Sequence, residues 1–314
     1  MHFRGEGYLN KMSVPFFVCG SGDSPGMKIG RTARSDLASR GFREVIMKII
    51  VLVKPVPDSS QLSGQVNGLQ LMAEDAPRVI NPWDEYAVEA ALQLKEAHGG
   101  QVTALCLGRP DAVELLKTTL AMGADRAVLI SDPALVNSDS QATARTLAAA
   151  VNKLGDWDLI IGGRSGILGN TWATAVQTAA LLNVPHLSYV AQIKTISPEE
   201  KTITVVRHTD KGREMVSSRL PASISVVKEI NEPRYPGFMG IRKAAKAIIP
   251  VWNLADVGLS PDQVGVTGSL VQRSALALPP ARTTDTRFIQ RTPAEAAKIL
   301  VERLTAEKII RERP

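Results

Sequence analysis

The sequence predicts an α/β protein: a doubly wound, mostly parallel sheet with a small antiparallel extension and a C-terminal arm. Three observations predict it. Apolar strand-like runs alternate with helix patterns four times, the connections are short, and after Pro185 the strands become shorter with tight turns between them. Alternating strands and helices with short connections imply right-handed crossovers between parallel strands.

The regular part of the pattern begins at Met47. We expect strands at 49–53, 102–107, 126–130 and 158–161, and helices at 84–97, 110–122, 143–154 and 171–182. The run Ile49–Val53 is apolar throughout and β-branched except at Leu52, which is typical of a strand covered on both faces. Asn81-Pro82 is a helix start, and Gly123 ends the second helix.

After Pro185 the pattern changes. Val190–Lys194, Thr202–Val206 and Glu214–Ser218 predict shorter strands that extend the same sheet in antiparallel order, with a turn at 210–212. An apolar strand follows at Ala222–Val227.

The C-terminal part has helix but no sheet of its own. Pro279-Pro280 marks a linker, and Pro293 to Arg311 predicts a terminal helix with Leu300 and Leu304 on its apolar face. Such an appended helix is expected to dock on a partner.

Composition excludes several classes of function. Of 314 residues, 44% are hydrophobic and 22% charged, as in soluble proteins, and no apolar run approaches the ~18 residues of a membrane span. Aromatic residues make up 4%, and the Lys and Arg residues behind the net charge of +6 are dispersed. We therefore expect no nucleic-acid binding and no membrane insertion, and a basic face for a protein partner.

Cysteine and histidine usage is sparse. Cys19 and Cys106 are the two cysteines, which argues against a disulfide framework and fits a reducing compartment, so a cytoplasmic location is expected. The four histidines show no ligand-like spacing, so no metal site is predicted. No Ser/His/Asp, Cys/His or paired-carboxylate arrangement is discernible.

Three regions divide the chain. Residues 1–46 form an irregular extension, for which a transit peptide is conceivable and a start codon placed too early is the favoured interpretation. Residues 47–255 form the α/β domain, and 256–314 the linker and arm.

Ligands of open α/β sheets bind at the carboxyl ends of the strands. Four loops qualify: 54–58, 81–84, 108–111 and 162–171. The last has four glycines, which allow close backbone approach, and Asn170-Thr171 can cap the next helix. It matches neither a Walker loop nor a GxGxxG fingerprint. The residues alone leave a nucleotide site and a plain tight connection both open.

Three motifs carry a resemblance to a known family. Asn231-Glu-Pro-Arg-Tyr235, Met47–Asp58 and Ala121–Arg126 together resemble the β subunit of electron-transfer flavoproteins, colinear from about Met47 to Ala255. The resemblance implies a Rossmann-like fold of the adenine-nucleotide α-hydrolase-like type. It also implies an electron carrier rather than a stand-alone enzyme.

The resemblance implies partners and cofactors. The chain would form a heterodimer with an α subunit that carries FAD, and would hold AMP or a second FAD itself. The heterodimer would carry electrons from a flavin-dependent dehydrogenase, such as an acyl-CoA dehydrogenase, to a quinone oxidoreductase. In bifurcating members, electrons are split between two acceptors.

The resemblance also implies cofactor-binding residues at the strand ends. They are Leu52, Asn81, Pro82, Trp83, Asp84, Leu107, Gly108, Gly166, Ile167, Leu168, Gly169, Asn170, Thr171, Trp172, Ala173 and Thr174. Family members usually carry Asp where Leu168 stands, and often Gly–Gln where Ala175-Val176 stands. These departures leave the identity of the nucleotide open. Arg207 matches an arginine close to the α-subunit flavin; a surface pair with a carboxylate is the alternative.

A recognition loop for the dehydrogenase is implied after the Asn-Glu-Pro-Arg-Tyr motif. Its residues are Asn231, Glu232, Pro233, Arg234, Tyr235, Phe238, Met239, Arg242 and Lys243. Phe238 would insert into a pocket of the dehydrogenase; the alternative is a loop folded back on its own core.

A second class of function stays open beside this one. The same sheet could serve a stand-alone adenine-nucleotide-binding regulatory protein or hydrolase, which predicts a stable monomer that needs no flavin.

Overall fold

The computed structural model describes residues 46–61, 66–67, 70–71, 76–272, 274–275, 277 and 286–310. The strands are β1 (Lys48–Val53), β2 (Pro55–Pro57), β3 (Val66–Asn67), β4 (Gln70–Leu71), β5 (Arg78–Ile80), β6 (Gln101–Leu107), β7 (Arg126–Ile130), β8 (Leu159–Gly163), β9 (His186–Ser197), β10 (Thr202–Thr209), β11 (Gly212–Arg219), β12 (Ala222–Val226) and β13 (Val251–Trp252). The helices are α1 (Pro82–His98), α2 (Ala112–Met122), α3 (Ser140–Leu154), α4 (Thr174–Leu181), α5 (Phe238–Ala245) and α6 (Pro293–Ala306).

A nine-stranded sheet runs in the order β11-β10-β9-β12-β8-β1-β6-β7-β13. All neighbours from β9 to β13 are parallel, and β10 pairs antiparallel with both β9 and β11. From β1 the chain moves to β6 and β7 on one side, then returns to β8 on the other. The strand order therefore reverses between β1 and β8, which is where open α/β sheets bind ligands.

Alternate residues of the central strands face opposite layers. Ile49 and Val51 pack in the cluster that contains α1 and α2, whereas Ile50 and Leu52 pack with α3. Both faces of the sheet are thus covered, which explains the continuous apolar run of β1. The predicted doubly wound α/β fold is confirmed.

Two helix starts differ by three residues from the sequence prediction, and the other two differ by two residues. α3 begins earlier because the Asp139 carboxylate accepts a hydrogen bond from Ala142 N at 2.7 Å and so caps the helix. α4 begins at Thr174 rather than Thr171, because Asn170 and Trp172 adopt positive φ values of 44° and 61°. A left-handed residue cannot continue a right-handed helix.

The antiparallel extension is smaller than predicted. β9 runs the full span His186–Ser197 and pairs parallel with β12, so within the main sheet β10 and β11 alone extend it in antiparallel order. Small two-stranded antiparallel ladders lie apart from the main sheet, at β2–β5 and β3–β4.

The segment just after residue 255 packs on α3. Val257 and Val264 are buried in the same cluster as Leu147, and Ser269 Oγ accepts a hydrogen bond from Asp139 N at 2.8 Å. The expectations for residues 1–45 and for the Pro279-Pro280 linker lie outside the described residues. α6 ends at Ala306, short of the predicted Arg311.

Candidate functional site

Asn81 joins the two strands at which the strand order reverses. Its backbone N–H donates to Lys54 O at 2.9 Å, directly after β1. Its side chain donates to Ser165 O at 2.8 Å and accepts from Ile167 N at 3.2 Å, both in the loop after β8. The buried amide therefore holds the loops of β1 and β8 together.

Asp84, in the first turn of α1, performs the same task with its carboxylate. The side chain accepts hydrogen bonds from Lys54 N at 2.8 Å and Gly163 N at 3.2 Å. Burial raises the pKa of Asp84 to about 7, although these two donors and the nearby Lys54 ammonium act in the opposite sense. A Cβ at position 163 would lie 2.4 Å from Asp84 Oδ1, so the close approach requires glycine.

The loop between β8 and α4 closes on itself through Asn170. Its side-chain oxygen accepts hydrogen bonds from Ser165 Oγ at 2.8 Å and from Trp172 Nε1 at 2.5 Å. The expectation that Asn170-Thr171 caps the next helix is therefore wrong. Ala173 stands at the N-cap position, where no side chain satisfies the first N–H groups of α4.

Other residues that were predicted to bind a cofactor differ in their exposure to solvent at this edge. Leu52 is buried, Leu107, Gly108 and Ile167 are half-buried, and Leu168 is exposed. The Lys54 ammonium lies beside the loop, since a Cβ at Gly166 would be 3.1 Å from Lys54 Nζ. The loop thus presents a glycine backbone and an ammonium group on one edge.

Arg164 is a site residue that sequence reasoning missed. Its guanidinium carbon lies 3.9 Å from the ring centroid of Trp83 and 4.7 Å from that of Trp172. The Trp172 ring in turn contacts Tyr189 at a centroid distance of 5.5 Å. A cation and two tryptophans are the signal in the sequence, but their contact depends on the fold bringing the start of α1 against the loop between β8 and α4.

The Asn-Glu-Pro-Arg-Tyr motif is bound to the outer face of α1. Asn231 Nδ2 donates to Tyr86 O at 3.1 Å. Arg234 donates to both oxygens of Glu89 at 2.8 and 3.0 Å, and its Nη2 donates to Glu96 at 3.0 Å. Burial raises the pKa of Glu89, but the hydrogen bonds from Arg234 outweigh it and hold this pKa below its usual range. Two of the residues expected to bind a partner are therefore engaged within the chain.

The residues that follow are displayed to solvent. Tyr235, Phe238 and Met239 are 94%, 78% and 71% exposed. The far end of the segment is held close to α2 at Gly240, two residues after Phe238, where a Cβ would lie 2.2 Å from Ala121 O. We call Asn231–Gly240 the recognition strap. The structure does not fold Phe238 back on the core.

The basic residues predicted at this surface also point outward. Arg242 and Lys243 are exposed on α5, as is Glu232 in the strap, while Pro233 is half-buried. Arg207 lies on β10 and pairs with Glu214 of β11, with Nη2 2.9 Å and Nε 3.0 Å from Glu214 Oε2. The surface pair considered as an alternative for Arg207 is thus present.

Comparison with known proteins shows the family of this chain. The family model "Electron transfer flavoprotein domain" matches residues 69–257. The chain belongs to the electron transfer flavoprotein family. It is 37% identical over 265 residues to the caffeyl-CoA reductase-Etf complex subunit CarD of Acetobacterium woodii, covering 84% of this chain and 100% of that protein.

Other relatives of this electron transfer flavoprotein chain carry related names. Protein FixA of Azorhizobium caulinodans is 35% identical over 258 residues, covering 80% of this chain and 92% of that protein. The electron transfer flavoprotein subunit beta of Megasphaera elsdenii is 34% identical over 273 residues, covering 84% of this chain and 100% of that protein.

Two further findings concern membrane spans and metal sites in the described residues. None of the helices in the described part of this flavoprotein-family chain is long and apolar enough to cross a membrane. Across the same described ranges, no group of three or more His, Cys, Asp or Glu side chains could hold a metal ion.

Proposed function

We propose that this chain is the β subunit of a heterodimeric electron-transfer flavoprotein, paired with an α subunit that carries FAD. The observation that supports it most is the recognition strap. It is tied to α1 by Arg234 and pressed onto α2 at Gly240, yet it exposes Tyr235, Phe238 and Met239 between these points. A rigid segment that displays aromatic and apolar side chains is the pattern of an interface hot spot.

α6 supports the pairing with an α subunit. None of the described residues of this helix is buried, and Leu300 and Val301 are 49% and 53% exposed on its surface. An amphipathic helix without a covered face is not stable by propensity alone. We therefore propose that the α subunit covers it.

The edge between β1 and β8 is suited to an adenine nucleotide, AMP or a second FAD. The first N–H groups of α4 have no side-chain cap, and the helix dipole favours an anion there. Leu52 and Leu107 supply apolar surface, and Asn81 and Asp84 hold the loops in place. The flavin supplies the redox chemistry, while this chain binds and orients nucleotide and partner.

Arg207 is proposed to lie near the α-subunit flavin. Its guanidinium shares one carboxylate with Glu214, and both side chains are partly exposed at the sheet edge. A cation close to the flavin would stabilise its anionic reduced form. Among the residues that the structure describes, Arg207 Nη1 has no hydrogen-bond partner and could make that contact.

The proposed electron donor is a flavin-dependent dehydrogenase such as an acyl-CoA dehydrogenase, and the acceptor a quinone oxidoreductase. A bifurcating version would use a second FAD in the β1–β8 edge. We expect the heterodimer to work in the cytoplasm, in line with the unpaired, buried Cys106. The competing function, a stand-alone nucleotide-binding regulator or hydrolase, predicts a monomer without flavin.

Co-expression with the α subunit tests the proposal. The expected result is a 1:1 complex whose flavin content is counted by absorbance. Replacing Leu300 and Val301 by Gln should abolish co-purification of the α subunit, because both side chains would lie in the interface. The matched control, Glu302→Gln on the same helix, should retain it. A flavin-free monomer with unchanged folding would favour the competing function.

A further inference from the structure

We propose that a pocket beside β10 binds a free α-amino acid, whose carboxylate pairs with Arg213 and whose ammonium group pairs with Glu229. The pocket is a cavity of about 210 Å³ between β9, β10, β11 and the turn at 228–230 that follows β12. None of its residues belongs to the edge between β1 and β8. Four polar and three apolar residues line it: Gln192, His208, Arg213 and Glu229, with Ala191, Val206 and Ile230.

The strand pairing places three of the polar side chains on one face of the sheet. His208 of β10 pairs directly with Arg213 of β11. Val206, two residues before His208, pairs directly with Gln192 of β9. Directly paired residues point to the same face of a sheet, as do residues two apart on one strand. The imidazole, the guanidinium and the Gln192 amide therefore share one surface, and Glu229 joins them from the turn at 228–230.

A β-bulge in β9 interrupts the pairing at this point. Val206 pairs with Gln192, whereas the next residue of β10 pairs with Val190. Ala191, between these two residues of β9, is left without a partner on β10. A bulge inserts one residue, bends its strand and is common beside functional sites. Ala191 also lines the pocket, so the cavity lies where the pairing is interrupted.

All four polar side chains of the pocket lack a partner among the described residues. The exposed side chains of Gln192, Arg213 and Glu229 make no hydrogen bond or ion pair with any residue that the structure describes. His208 Nε2 is enclosed by protein, yet it has no hydrogen-bond partner either. Buried polar atoms in native proteins are almost always satisfied, so an unsatisfied one indicates a bound water, ion or ligand.

The charges of the pocket favour a ligand that carries one charge of each sign. A lone carboxylate would add a second negative charge beside Glu229, and a lone ammonium group would add a second positive charge beside Arg213. Charges that leave water are tolerated when they are paired and hydrogen-bonded. An α-amino acid at neutral pH supplies both groups, and with it every charge in the pocket has a counter-charge.

The volume and the apolar lining restrict the ligand further. The cavity is smaller than the ~300 Å³ at which pockets for drug-sized ligands begin, which favours a molecule of the size of one amino acid. Ala191, Val206 and Ile230 offer apolar surface for a side chain. We therefore expect an amino acid with an apolar side chain, such as leucine.

A ligand at this site would connect two parts of the surface. Arg213 lies on the β10–β11 hairpin, and Glu229 lies two residues before the recognition strap begins at Asn231. A molecule bound to both would hold the hairpin to the segment that leads into the strap. Because such a ligand binds only the folded chain, it should raise the melting temperature as its concentration increases.

Calorimetry on the full chain, alone and in complex with its α subunit, tests the proposal with three matched probes. L-leucine has both charged groups, N-acetyl-L-leucine lacks the ammonium group, and L-leucinamide lacks the carboxylate. We expect leucine to bind both forms of the protein. Each of the other probes should bind at least about tenfold more weakly, as for a lost hydrogen bond to a charged group. These measurements use the unaltered chain and so do not depend on the folding of a variant.

Two substitutions test which side chain meets which group of the ligand. Arg213→Gln should weaken leucine binding by about 10- to 100-fold and leave the affinity for leucinamide unchanged, because leucinamide has no carboxylate to lose. Glu229→Gln should weaken leucine binding in the same way and leave the affinity for N-acetylleucine unchanged. The matched controls, Arg219→Gln and Glu199→Gln, replace exposed residues at the far end of β10 and should leave all three affinities unchanged.

The ring nitrogens of His208 give a signal from the site itself. The chain has four histidines, so nitrogen NMR spectra of histidine-labelled protein can separate them. Leucine should shift the His208 signal, which His208→Gln identifies by its loss. The signal of His186, whose ring already contacts Ser223 and Ser225, should stay in place.

Four outcomes would overturn the amino-acid site. Leucine does not bind the unaltered chain, or it binds the chain alone and not the complex, in which case the α subunit fills the pocket. N-acetylleucine binds as tightly as leucine, so the ammonium group is not recognised. Arg213→Gln weakens all three probes alike, so its effect is structural. None of these outcomes changes the co-purification result that tests the heterodimer.

Discussion

The edge between β1 and β8 and the recognition strap are held by the same helix in different ways. At the start of α1, the Asn81 side chain donates to and accepts from backbone groups of the loop after β8. The Asp84 carboxylate accepts hydrogen bonds from backbone N–H groups at the ends of β1 and β8. Further along α1, Glu89 and Glu96 hold Arg234 of the strap by ion pairs. The side chains of Asn81 and Asp84 are buried at the edge, whereas the strap leaves apolar side chains exposed to solvent.

The difference shows how one helix can serve two kinds of site. A network of backbone hydrogen bonds fixes the position of main-chain atoms, as close approach to a ligand requires. A bidentate ion pair fixes one side chain and leaves the neighbouring residues free for contact with another protein. Substitutions should therefore affect folding at the edge and at the Arg234 ion pair, and should affect binding at the exposed residues of the strap.

The largest expected effect is a pH dependence centred on Asp84. Because burial raises its folded-state pKa from 3.8 to about 7, the folded chain holds a proton between these values that the unfolded chain has lost. The contribution of Asp84 to the free energy of unfolding should fall as pH rises from 4 to 7, by up to about 4 kcal/mol.

The measurement is urea unfolding of the unaltered chain and of Asp84→Asn from pH 4 to 8. His186, whose pKa burial lowers to about 4, acts in the opposite sense between pH 4 and 6.5, so the difference between the two proteins is the quantity to plot. A difference that does not change with pH would contradict the buried, raised pKa.

The next effect concerns the ion pair of the strap. Arg234→Met removes the cation that pairs with Glu89, whose side chain is 4% exposed, and leaves it the hydrogen bond from Gln93. Removing one member of a buried pair should lower the free energy of unfolding by about 3 kcal/mol. The control is Arg207→Met in the exposed pair with Glu214, where we expect a loss of less than about 1 kcal/mol. Equal losses in the two variants would remove the distinction between the pairs.

A glycine pair tests how tightly the edge is packed. In Gly163→Ala the new methyl group would lie 2.6 Å from the backbone carbon of Trp83, and the strain should cost about 2 kcal/mol. Gly169→Ala in the same loop meets nothing closer than 3.9 Å and should be nearly neutral. Thermal unfolding compares the two, and an equally stable Gly163→Ala would show that the edge can widen.

The smallest expected change in stability is at Phe238. Because this side chain is 78% exposed, Phe238→Ala should change the free energy of unfolding by less than about 0.5 kcal/mol. Its apparent affinity for a dehydrogenase donor should nevertheless fall by about tenfold or more, as for an interface anchor. Chemical reduction of the flavin by dithionite should not change.

Met215→Ala provides the control for that experiment, since Met215 is 72% exposed on β11, away from the strap. It should leave both stability and donor kinetics as they were. Intact donor kinetics in Phe238→Ala would remove this residue from the recognition surface.

Much of the fold could be predicted because its signals are local. The β-branched run of β1, the Asn81-Pro82 helix start and Gly123 at the end of α2 each act within a few residues. The start of α4 could not be predicted in the same way. Asn170 and Trp172 are turned out of helical conformation by contacts with Ser165 and Arg164, which sequence propensity does not include.

By itself, the sequence determined the alternation of strands and helices, the glycine-rich loop after β8 and the motif that begins at Asn231. Tertiary structure alone decided that Arg234 meets Glu89, 145 residues away, and that Trp83 and Trp172 both contact Arg164. The physical reason is the separation along the chain of the residues that interact. Hydrophobic periodicity and turn chemistry depend on neighbours in the chain, whereas ion pairs and stacked rings depend on which segments the sheet brings together.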